Sequence, residues 1–237
     1  AVRYGHTDIA KLLLNSGAKV NAQDNLGKSP IMLVMPREKI EETYKLLVSY
    51  KADLSQKDSF GDTLIHTATM LHVPVNVLEM LAASGIDINA KNKEGVTPFE
   101  IAIQHKNLEM TKFFATHNAD IHTKDTHGIS PLFLALQAEE TLVETTVSAQ
   151  NVQTQYSEGN TPLHVALINN APLSKIQYII SLTEDVNIRN SDGNSALYLA
   201  IMKKQQQVVK ILLEKGADIF STNKNNDSPL RVALRSG

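Results

Sequence analysis

The stretch EGNTPLHVALINN (158–170) contains the pattern that decides the fold. In it, Thr161 precedes a proline, and His164 follows three residues after Thr161. Related stretches recur along the chain as GDTLIHTAT (61–69), EGVTPFEIAI (94–103), HGISPLFLAL (127–136), DGNSALYLAI (192–201) and NDSPLRVAL (226–234). The chain is therefore built from repeats, and His164 is either a catalytic base or a part of the repeated scaffold.

Three columns of residue types recur with one period. A Thr or Ser opens each repeat, at Ser29, Thr63, Thr97, Ser130, Thr161, Ser195 and Ser228. The successive spacings are 34, 34, 33, 31, 34 and 33 residues. Two residues before the opener lies Gly27, Gly61, Gly95, Gly128, Gly159, Gly193 or, in the last repeat, Asn226. Five residues after it lies Val34, Ala68, Ala102, Ala135, Ala166, Ala200 or Ala233. A period near 33 residues is typical of stacked supersecondary units.

Each column has a physical reason. The glycine lies where the chain leaves a tight turn and needs positive φ. The Thr or Ser is predicted to cap a helix with its hydroxyl, and the proline that often follows occupies the first helical position. The small residue lets two helices approach closely. An amphipathic second helix follows, as in DIAKLLLNSGA (8–18), and a glycine ends it.

These residues resemble the ankyrin repeat. The stretches GHTDIAKLLLNSGAKVNAQD (5–24) and GNTPLHVAL (159–167) are similar to the family pattern almost position by position, and the resemblance covers the whole chain. It implies a mainly α fold, an ankyrin-repeat solenoid of stacked helix-turn-helix units with projecting β-hairpin fingers. It also implies that a histidine at the position of His164 bonds to the hairpin of an adjacent repeat.

The columns predict a single ankyrin-repeat array over residues 1–237. It consists of a partial repeat 1–24, repeats near 24–57, 58–91, 92–124, 125–155, 156–189 and 190–222, and a partial repeat 223–237. A polar capping repeat is not recognisable at either end, so we expect a segment of a longer chain.

Some repeats depart from the pattern. The glycine between the helices, Gly5, is replaced by Lys106, Asn170 and Lys204, which predicts backbone strain if φ is positive there. Pro36, Pro74 and Pro172 are expected to stop the first helix of their repeats. The repeat 125–155 is two residues short, so we expect the stack to bend or loosen there.

Composition excludes several classes of function. The chain has 23 Lys and Arg against 25 Asp and Glu, with no concentrated basic stretch, which argues against a nucleic-acid partner. It has no cysteine, and hence no disulfide or thiolate site. Neither a long apolar run nor a signal-peptide pattern occurs, so direct membrane insertion is not expected. The compartment stays open, with a weak preference for the cytoplasm.

The histidines do not predict catalysis or metal binding. His66 and His164 share one repeat position, which Met32, Glu100, Phe133, Tyr198 and Arg231 fill elsewhere, so a structural role is expected. His117, His122 and His127 are spaced by five residues, which does not place their side chains on one face of a helix or strand. We therefore predict no catalytic, cofactor-binding or metal-binding residues and no cofactor.

The remaining candidate site is a partner-binding surface. In the ankyrin family, partners are bound by finger tips, by the residue after the turn glycine and by the exposed end of the first helix. Those positions are apolar in the middle of the chain, and an apolar patch with a polar rim favours an interaction surface. The candidate partner-binding residues are Phe60, Met70, Leu71, Val96, His105, His127, Ile129 and Phe133. For any one of them, the alternative is a side chain that fills a gap between fingers.

The sequence predicts a non-enzymatic scaffold that binds a partner protein or peptide through its finger tips and concave face. The alternative is a spacer array that positions a catalytic or membrane domain elsewhere in the full-length protein. Binding of a small ligand in the groove is less favoured, because no cluster of convergent polar groups occurs.

Overall fold

The computed structural model describes residues 2–34 and 40–236. Pro36 lies outside them. The chain divides into two compact units. Unit 1 consists of residues 1–120 and 124–128, and unit 2 consists of residues 121–123 and 129–237.

The described residues are mainly helical. The α-helices are α1 (Thr7–Asn15), α2 (Ile40–Ser49), α3 (Leu64–Met70), α4 (Val75–Ala83), α5 (Pro98–Gln104), α6 (Leu108–Thr116), α7 (Pro131–Gln137), α8 (Glu140–Thr146), α9 (Pro162–Ile168), α10 (Leu173–Leu182), α11 (Ala196–Met202), α12 (Gln206–Glu214) and α13 (Pro229–Ser236). Short 3-10 helices span Val2–Tyr4, Met32–Val34 and Ser157–Gly159.

Unit 1 is a stack of helix pairs. Helices α3 and α4 form one pair and α5 and α6 the next, with α3 packed on α5 and α4 on α6. Phe99 and Phe114 are fully buried between them, with ring centroids 5.8 Å apart. The small-residue column explains how close the pairs come, because Ala68 and Ala102 are completely buried where a larger side chain would push the helices apart.

Unit 2 repeats the same arrangement. Helices α7 and α8, α9 and α10, and α11 and α12 form three pairs, each first helix packs on the next, and α13 packs on α11. Ala135, Ala166 and Ala200 are completely buried at the same repeat position. The predicted helix-turn-helix units are therefore present in both units.

The predicted caps are found on most first helices. The hydroxyls of Thr97, Ser130, Thr161, Ser195 and Ser228 each accept a hydrogen bond from the backbone N–H three residues later. Ser29 differs, since its buried hydroxyl has no hydrogen-bond partner among the described residues. The N–H three residues later, that of Met32, donates instead to the Ser29 carbonyl over 3.0 Å, at the start of the 3-10 helix Met32–Val34.

The predicted β-hairpins are not present as strands. In the described part of the chain, ladder pairing is limited to one isolated antiparallel bridge, between Arg189 and Ser195. The fingers are instead compact turns between one second helix and the next first helix. We keep the name finger for these turns, at residues 24–28, 58–62, 92–96, 125–129, 156–160, 190–194 and 223–227.

The turn within most helix pairs contains a residue in the left-handed region. Lys106, Asn170 and Lys204, which replace glycine, have φ of 53°, 52° and 53°, and His72 has φ of 52°. The predicted strain is therefore present. A hydrogen bond offsets this strain. The residue after the left-handed one donates its N–H to the carbonyl of the small-residue column, as Ala171 N does to Ala166 O over 2.9 Å.

In the short repeat 125–155, the turn between the two helices has a different backbone conformation. Between α7 and α8, Ala138 and Glu139 are both extended. The buried ammonium of Lys175, on α10, donates instead to the carbonyls at the end of α7, with 2.7 Å to Leu136 O and a further bond to Ala138 O. A side chain from the neighbouring pair thus replaces the missing backbone cap, and a cation at a helix C-terminus also suits the helix dipole.

The segment after α8 is held by side chains. Asn151 donates from Nδ2 to Thr146 O over 2.9 Å and accepts from Ser148 N over 2.9 Å. Val152 is buried. Loosening of this repeat stays a prediction for amide hydrogen exchange.

In the part of the chain that the structure describes, no helix combines the length and the apolar character needed to cross a membrane.

Candidate functional site

Most fingers are organised by an Asp or Asn side chain. In the finger 58–62, Asp58 Oδ1 accepts from Phe60 N over 2.8 Å and from Asp62 N over 3.0 Å. Asp24, Asn92, Asn190 and Asn223 make the same pair of bonds in their fingers. These bonds fix the backbone at the tip, so the tip side chain projects from a defined position.

Backbone hydrogen bonds join consecutive fingers within each unit. In unit 1, Ser59 N donates to Leu26 O over 2.8 Å and Lys93 N donates to Phe60 O over 3.0 Å. In unit 2, Ser191 N donates to Glu158 O over 2.8 Å, and Lys224 N to Asp192 O over 2.9 Å. At Leu26, Phe60 and Asp192, both backbone polar groups of the tip residue are therefore bonded while the side chain stays exposed. We call this series of bonds the finger ladder.

The turn glycine is required by this ladder as well as by its own φ. Gly61 has φ of 82°, and a Cβ added there would lie 2.7 Å from the backbone nitrogen of Lys93 in the next finger. Sequence alone predicted the positive φ. The close approach of the neighbouring finger is a second and independent reason for glycine at this position.

A second series of bonds connects the fingers through long polar side chains. Gln23 Nε2 donates to Lys57 O over 3.0 Å, and Lys57 Nζ donates to Lys91 O over 2.9 Å. In unit 2, Gln155 Nε2 donates to Arg189 O over 2.8 Å, and Arg189 donates to Thr222 O. This column was not predicted from the sequence. It has the period of the other columns, but its residue types vary, and only the ability to donate over a long reach is shared.

His66 and His164 are parts of the scaffold. Their side chains are almost completely buried. Nδ1 of His66 accepts from Thr63 N over 3.2 Å, so the neutral ring carries its proton on Nε2, which donates to Val96 O in the next finger over 3.0 Å. Nε2 of His164 bonds Asn194 O over 3.0 Å in the same way. The predicted structural role is confirmed.

Burial keeps these two rings neutral. Loss of solvation lowers the pKa of His66 and of His164 below the ordinary histidine value, and the bonds to Val96 O and Asn194 O offset only part of that effect. Each ring is enclosed by its own helix and the next finger, which leaves neither one open to a substrate.

Glu100 occupies the same repeat position in the next pair of unit 1. Its side chain is completely buried. Burial, together with the nearby Asp125 carboxylate, raises the pKa of Glu100 to about 7. The position that holds a neutral histidine elsewhere thus holds a carboxyl group that is poised to be protonated near neutral pH.

The eight predicted partner-binding residues fall in different surroundings. Phe60, Leu71, His105 and His127 are exposed, whereas Met70, Val96, Ile129 and Phe133 are half-buried. Six lie in unit 1, and Ile129 and Phe133 lie in unit 2. Their role in binding stays a prediction.

Within unit 1, the structure brings several of them close together. Leu71 ends α3 and His105 ends α5, and these two helices pack on each other. The ring of His72, next to Leu71, lies 4.9 Å from the ring of His105. Phe60 and Val96 are on consecutive fingers that the bond between Lys93 N and Phe60 O connects.

The finger tips of the two units differ in chemistry. In unit 1 the first two tips are Leu26, 52% exposed, and Phe60, 60% exposed. In unit 2, Glu158 and Asp192 are exposed at the same position. The position after the glycine is less accessible than predicted from the family, because Asp62 and Asn160 are buried and bond to the following finger.

Two of the three closely spaced histidines, His117 and His122, have separate structural contacts. His117 Nδ1 donates to Phe113 O over 2.8 Å, and its Nε2 lies 3.3 Å from Glu79 Oε2. His122 stacks on Tyr156 with ring centroids 3.4 Å apart. Among residues 2–34 and 40–236, no group of three or more His, Cys, Asp or Glu side chains is arranged to hold a metal ion.

Comparison with known proteins gives one family. The family model described as ankyrin repeats (3 copies) matches residues 1–92, 38–125, 70–148, 132–223 and 174–237, so overlapping matches extend over the whole chain.

Similar individual proteins share the array but are longer. Rabankyrin-5 of Mus musculus is 24% identical over 96% of this chain and 18% of its own length. The B-cell lymphoma 3 protein homolog of Mus musculus is 26% identical over 95% of this chain and 44% of its own length. Neurogenic locus notch homolog protein 2 of Homo sapiens is 31% identical over 47% of this chain and 4% of its own length. The chain spans less than half the length of each of these relatives.

Proposed function

Because the chain belongs to the ankyrin repeat family, whose repeats generally mediate protein-protein interaction, we propose that it is a non-enzymatic scaffold. It binds a partner protein or peptide through the finger tips and first-helix ends of unit 1. The observation that carries this proposal is an exposed aromatic tip, Phe60, on a backbone whose polar groups are already bonded within the ladder.

A fixed tip favours binding because its backbone loses little conformational entropy when the partner binds. The N–H of Phe60 is bonded to Asp58 and its carbonyl accepts from Lys93, so association has to immobilise only the ring. Aromatic side chains, including phenylalanine, are enriched in protein interfaces relative to the rest of the surface.

The first-helix ends extend the proposed surface. Leu71 is 44% exposed at the end of α3, and His105 is exposed at the end of α5. Met70 and Val96 are half-buried beside them and add apolar area. The two histidines that sequence reasoning considered as possible bases, His66 and His164, are committed to bonds within the scaffold, which supports a non-enzymatic role.

The experiment compares two exposed phenylalanines. Phe60→Glu removes the proposed anchor in unit 1, and Phe220→Glu is the matched control, because Phe220 is 82% exposed in unit 2. Both variants are checked for folding by circular dichroism, and each is used in crosslinking pull-downs from cells that express the protein. A partner retained by the native chain and by Phe220→Glu, but lost with Phe60→Glu, is the expected result.

Other outcomes separate the alternatives. Equal retention by all three proteins would place the binding surface elsewhere. Retention of no partner by any of them would contradict the scaffold and favour a spacer array.

A further inference from the structure

Resting on the proposed function, we infer the kind of partner that the unit 1 fingers take. We propose that the face around Leu26 and Phe60 binds an extended peptide in which acidic residues flank an apolar anchor. The inference depends on the placement of exposed apolar and cationic side chains on two consecutive fingers and on the finger that follows them.

The exposed apolar side chains of the face lie at the tips of two adjacent, hydrogen-bonded fingers. Leu26 and Phe60 are the tips of consecutive fingers, and Ser59 N donates to Leu26 O over 2.8 Å to join them. Both side chains are more than half exposed. An apolar residue of the peptide that covers both tips removes them from water together, which is the main source of affinity at such a contact.

The cationic side chains lie next to the Phe60 finger, because Lys57 directly precedes it, Lys91 directly precedes the following finger and Lys93 lies on that following finger. Lys57 Nζ donates to Lys91 O over 2.9 Å, and Lys93 Nζ donates to Ser59 O over 2.7 Å. These three lysines are exposed. An ammonium group has three donors, so Lys57 and Lys93 each use one donor for a backbone carbonyl and keep two for a partner.

The acids of the Phe60 finger do not neutralise this charge at the surface. Asp58 and Asp62 are buried, and each of their carboxylates accepts hydrogen bonds within the ladder. The exposed acids of the three fingers are Asp24 and Glu94. A partner that approaches Phe60 therefore meets three lysine side chains against these two acids.

The positive charge of Lys57 is not needed for the side-chain bond that connects its finger to the next. Gln23 and Gln155 make the equivalent bond to the following finger with a neutral amide. Three successive residues of this column in unit 1 are nevertheless lysine, namely Lys57, Lys91 and Lys124. Charge that the fold does not require is available for an acidic partner, and complementary charge mainly sets specificity and association rate.

The test uses a displayed library of random peptides panned on the whole chain. Recovered peptides are expected to contain Asp or Glu next to Leu, Ile or Phe. Their affinity is then measured by fluorescence polarisation against the native chain, Phe60→Ser, and the double variant Lys57→Gln with Lys91→Gln. Arg189→Gln, at the same column position in unit 2, is the matched control.

The expected effects differ in size. Phe60→Ser weakens binding by about 30-fold, as for an interface anchor. The double lysine variant weakens it by roughly 3- to 20-fold, as for two exposed charge pairs. Arg189→Gln leaves it unchanged. Added salt weakens binding to the native chain more than binding to the double lysine variant.

The outcomes distinguish this inference from the proposed function. Peptides that depend on Phe60 but show no excess of acids, or that ignore the lysine substitutions, overturn the inference and leave the scaffold intact. A screen that recovers no peptide dependent on Phe60, while a cellular partner is still lost with Phe60→Glu, overturns it as well, because the face then binds a folded surface.

Discussion

The fingers of unit 1 and unit 2 share one backbone scheme and differ in their side chains. In both units an Asp or Asn closes the turn, and the tip carbonyl accepts from the next finger, as at Phe60 and Asp192. The unit 1 tips begin with Leu26 and Phe60, whereas unit 2 exposes Glu158 and Asp192. The difference teaches that the ladder does not depend on the tip side chain, so tips can vary with the partner at little cost to the fold.

The largest expected effect comes from the glycine that both units need. Gly61→Ala is expected to lower the free energy of unfolding of unit 1 by about 2–4 kcal/mol. Part of this is the cost of positive φ, and the rest is the shift forced on the neighbouring finger, since the new Cβ would lie 2.7 Å from Lys93 N. Chemical denaturation followed by amide exchange measures the change in unit 1.

Gly128→Ala is the matched control for this prediction. Gly128 has φ of 78°, but nothing lies within 4 Å of an added Cβ. The expected cost is only that of the backbone conformation, about 1 kcal/mol. Equal losses in the two variants would show that the approach of the next finger contributes nothing.

The second prediction concerns Glu100 in unit 1. Its pKa in the folded protein, about 7, lies above the value in the unfolded chain, so its contribution to stability is present at low pH and is lost as pH rises through about 7. Glu100→Gln is expected to stabilise the protein above that pH by at most about 3 kcal/mol, with little effect below about pH 4.

Urea unfolding over this pH range measures that effect, and Glu94→Gln is the control, because Glu94 is exposed. A stability difference between native and Glu100→Gln that does not change with pH would contradict the assignment.

The third prediction concerns His164, which occupies the same repeat position in unit 2. Its effect on the pH dependence of stability is opposite to that of Glu100. The pKa of His164 is lowered by burial, so the unfolded chain binds more protons than the folded one when pH falls below about 6.5. Stability should therefore fall with acidification, by up to about 1.4 kcal/mol per pH unit. His164→Gln removes this slope. Amide exchange of α9 at several pH values measures how stability depends on pH. An unchanged pH dependence in the variant would exclude His164 as the cause.

The smallest effect is expected from Lys57→Gln. Glutamine already makes the equivalent side-chain bond to the following repeat at Gln23 and Gln155, so the free energy of unfolding should change by no more than about 0.5 kcal/mol. Lys57→Ala, which cannot donate to Lys91 O, is the comparison for thermal or urea unfolding. A loss with glutamine as large as the loss with alanine would show that the charge, and not the bond to Lys91 O, stabilises unit 1.

Much of the fold could be predicted from the period of the sequence. The glycine allows positive φ, the Thr or Ser caps a helix, and the small residue permits close packing. Because few residue types meet each requirement, the same type recurs in each repeat, as at Gly61, Thr97 and Ala102. The ladder column could not be found in that way, because Gln23, Lys57 and Arg189 share a long donor and not a residue type. Lys175 was missed for another reason. Its bond to Leu136 O joins residues 39 positions apart, and nothing in the short repeat itself indicates it.

The candidate site was only partly predictable. Phe60 could be placed at a tip because it precedes the turn glycine. Exposure could not be assigned so simply, since Val96 is half-buried where the family pattern predicts an open position, and Phe133 is half-buried at the position where His66 and His164 are buried. Burial at these positions depends on the size of side chains in the neighbouring repeat, which a column of aligned residues does not contain.

The central claim is that the fingers are preformed and that their tips are independent of the ladder. Amide hydrogen exchange in the free protein tests it most directly, at the N–H groups of Ser59 and Lys93 in unit 1 and of Ser191 and Lys224 in unit 2. These amides should be protected by roughly two orders of magnitude or more, and Phe60→Glu should leave that protection unchanged. Exchange at the rate of an unstructured chain, or loss of protection at Lys93 with Phe60→Glu, would contradict the account.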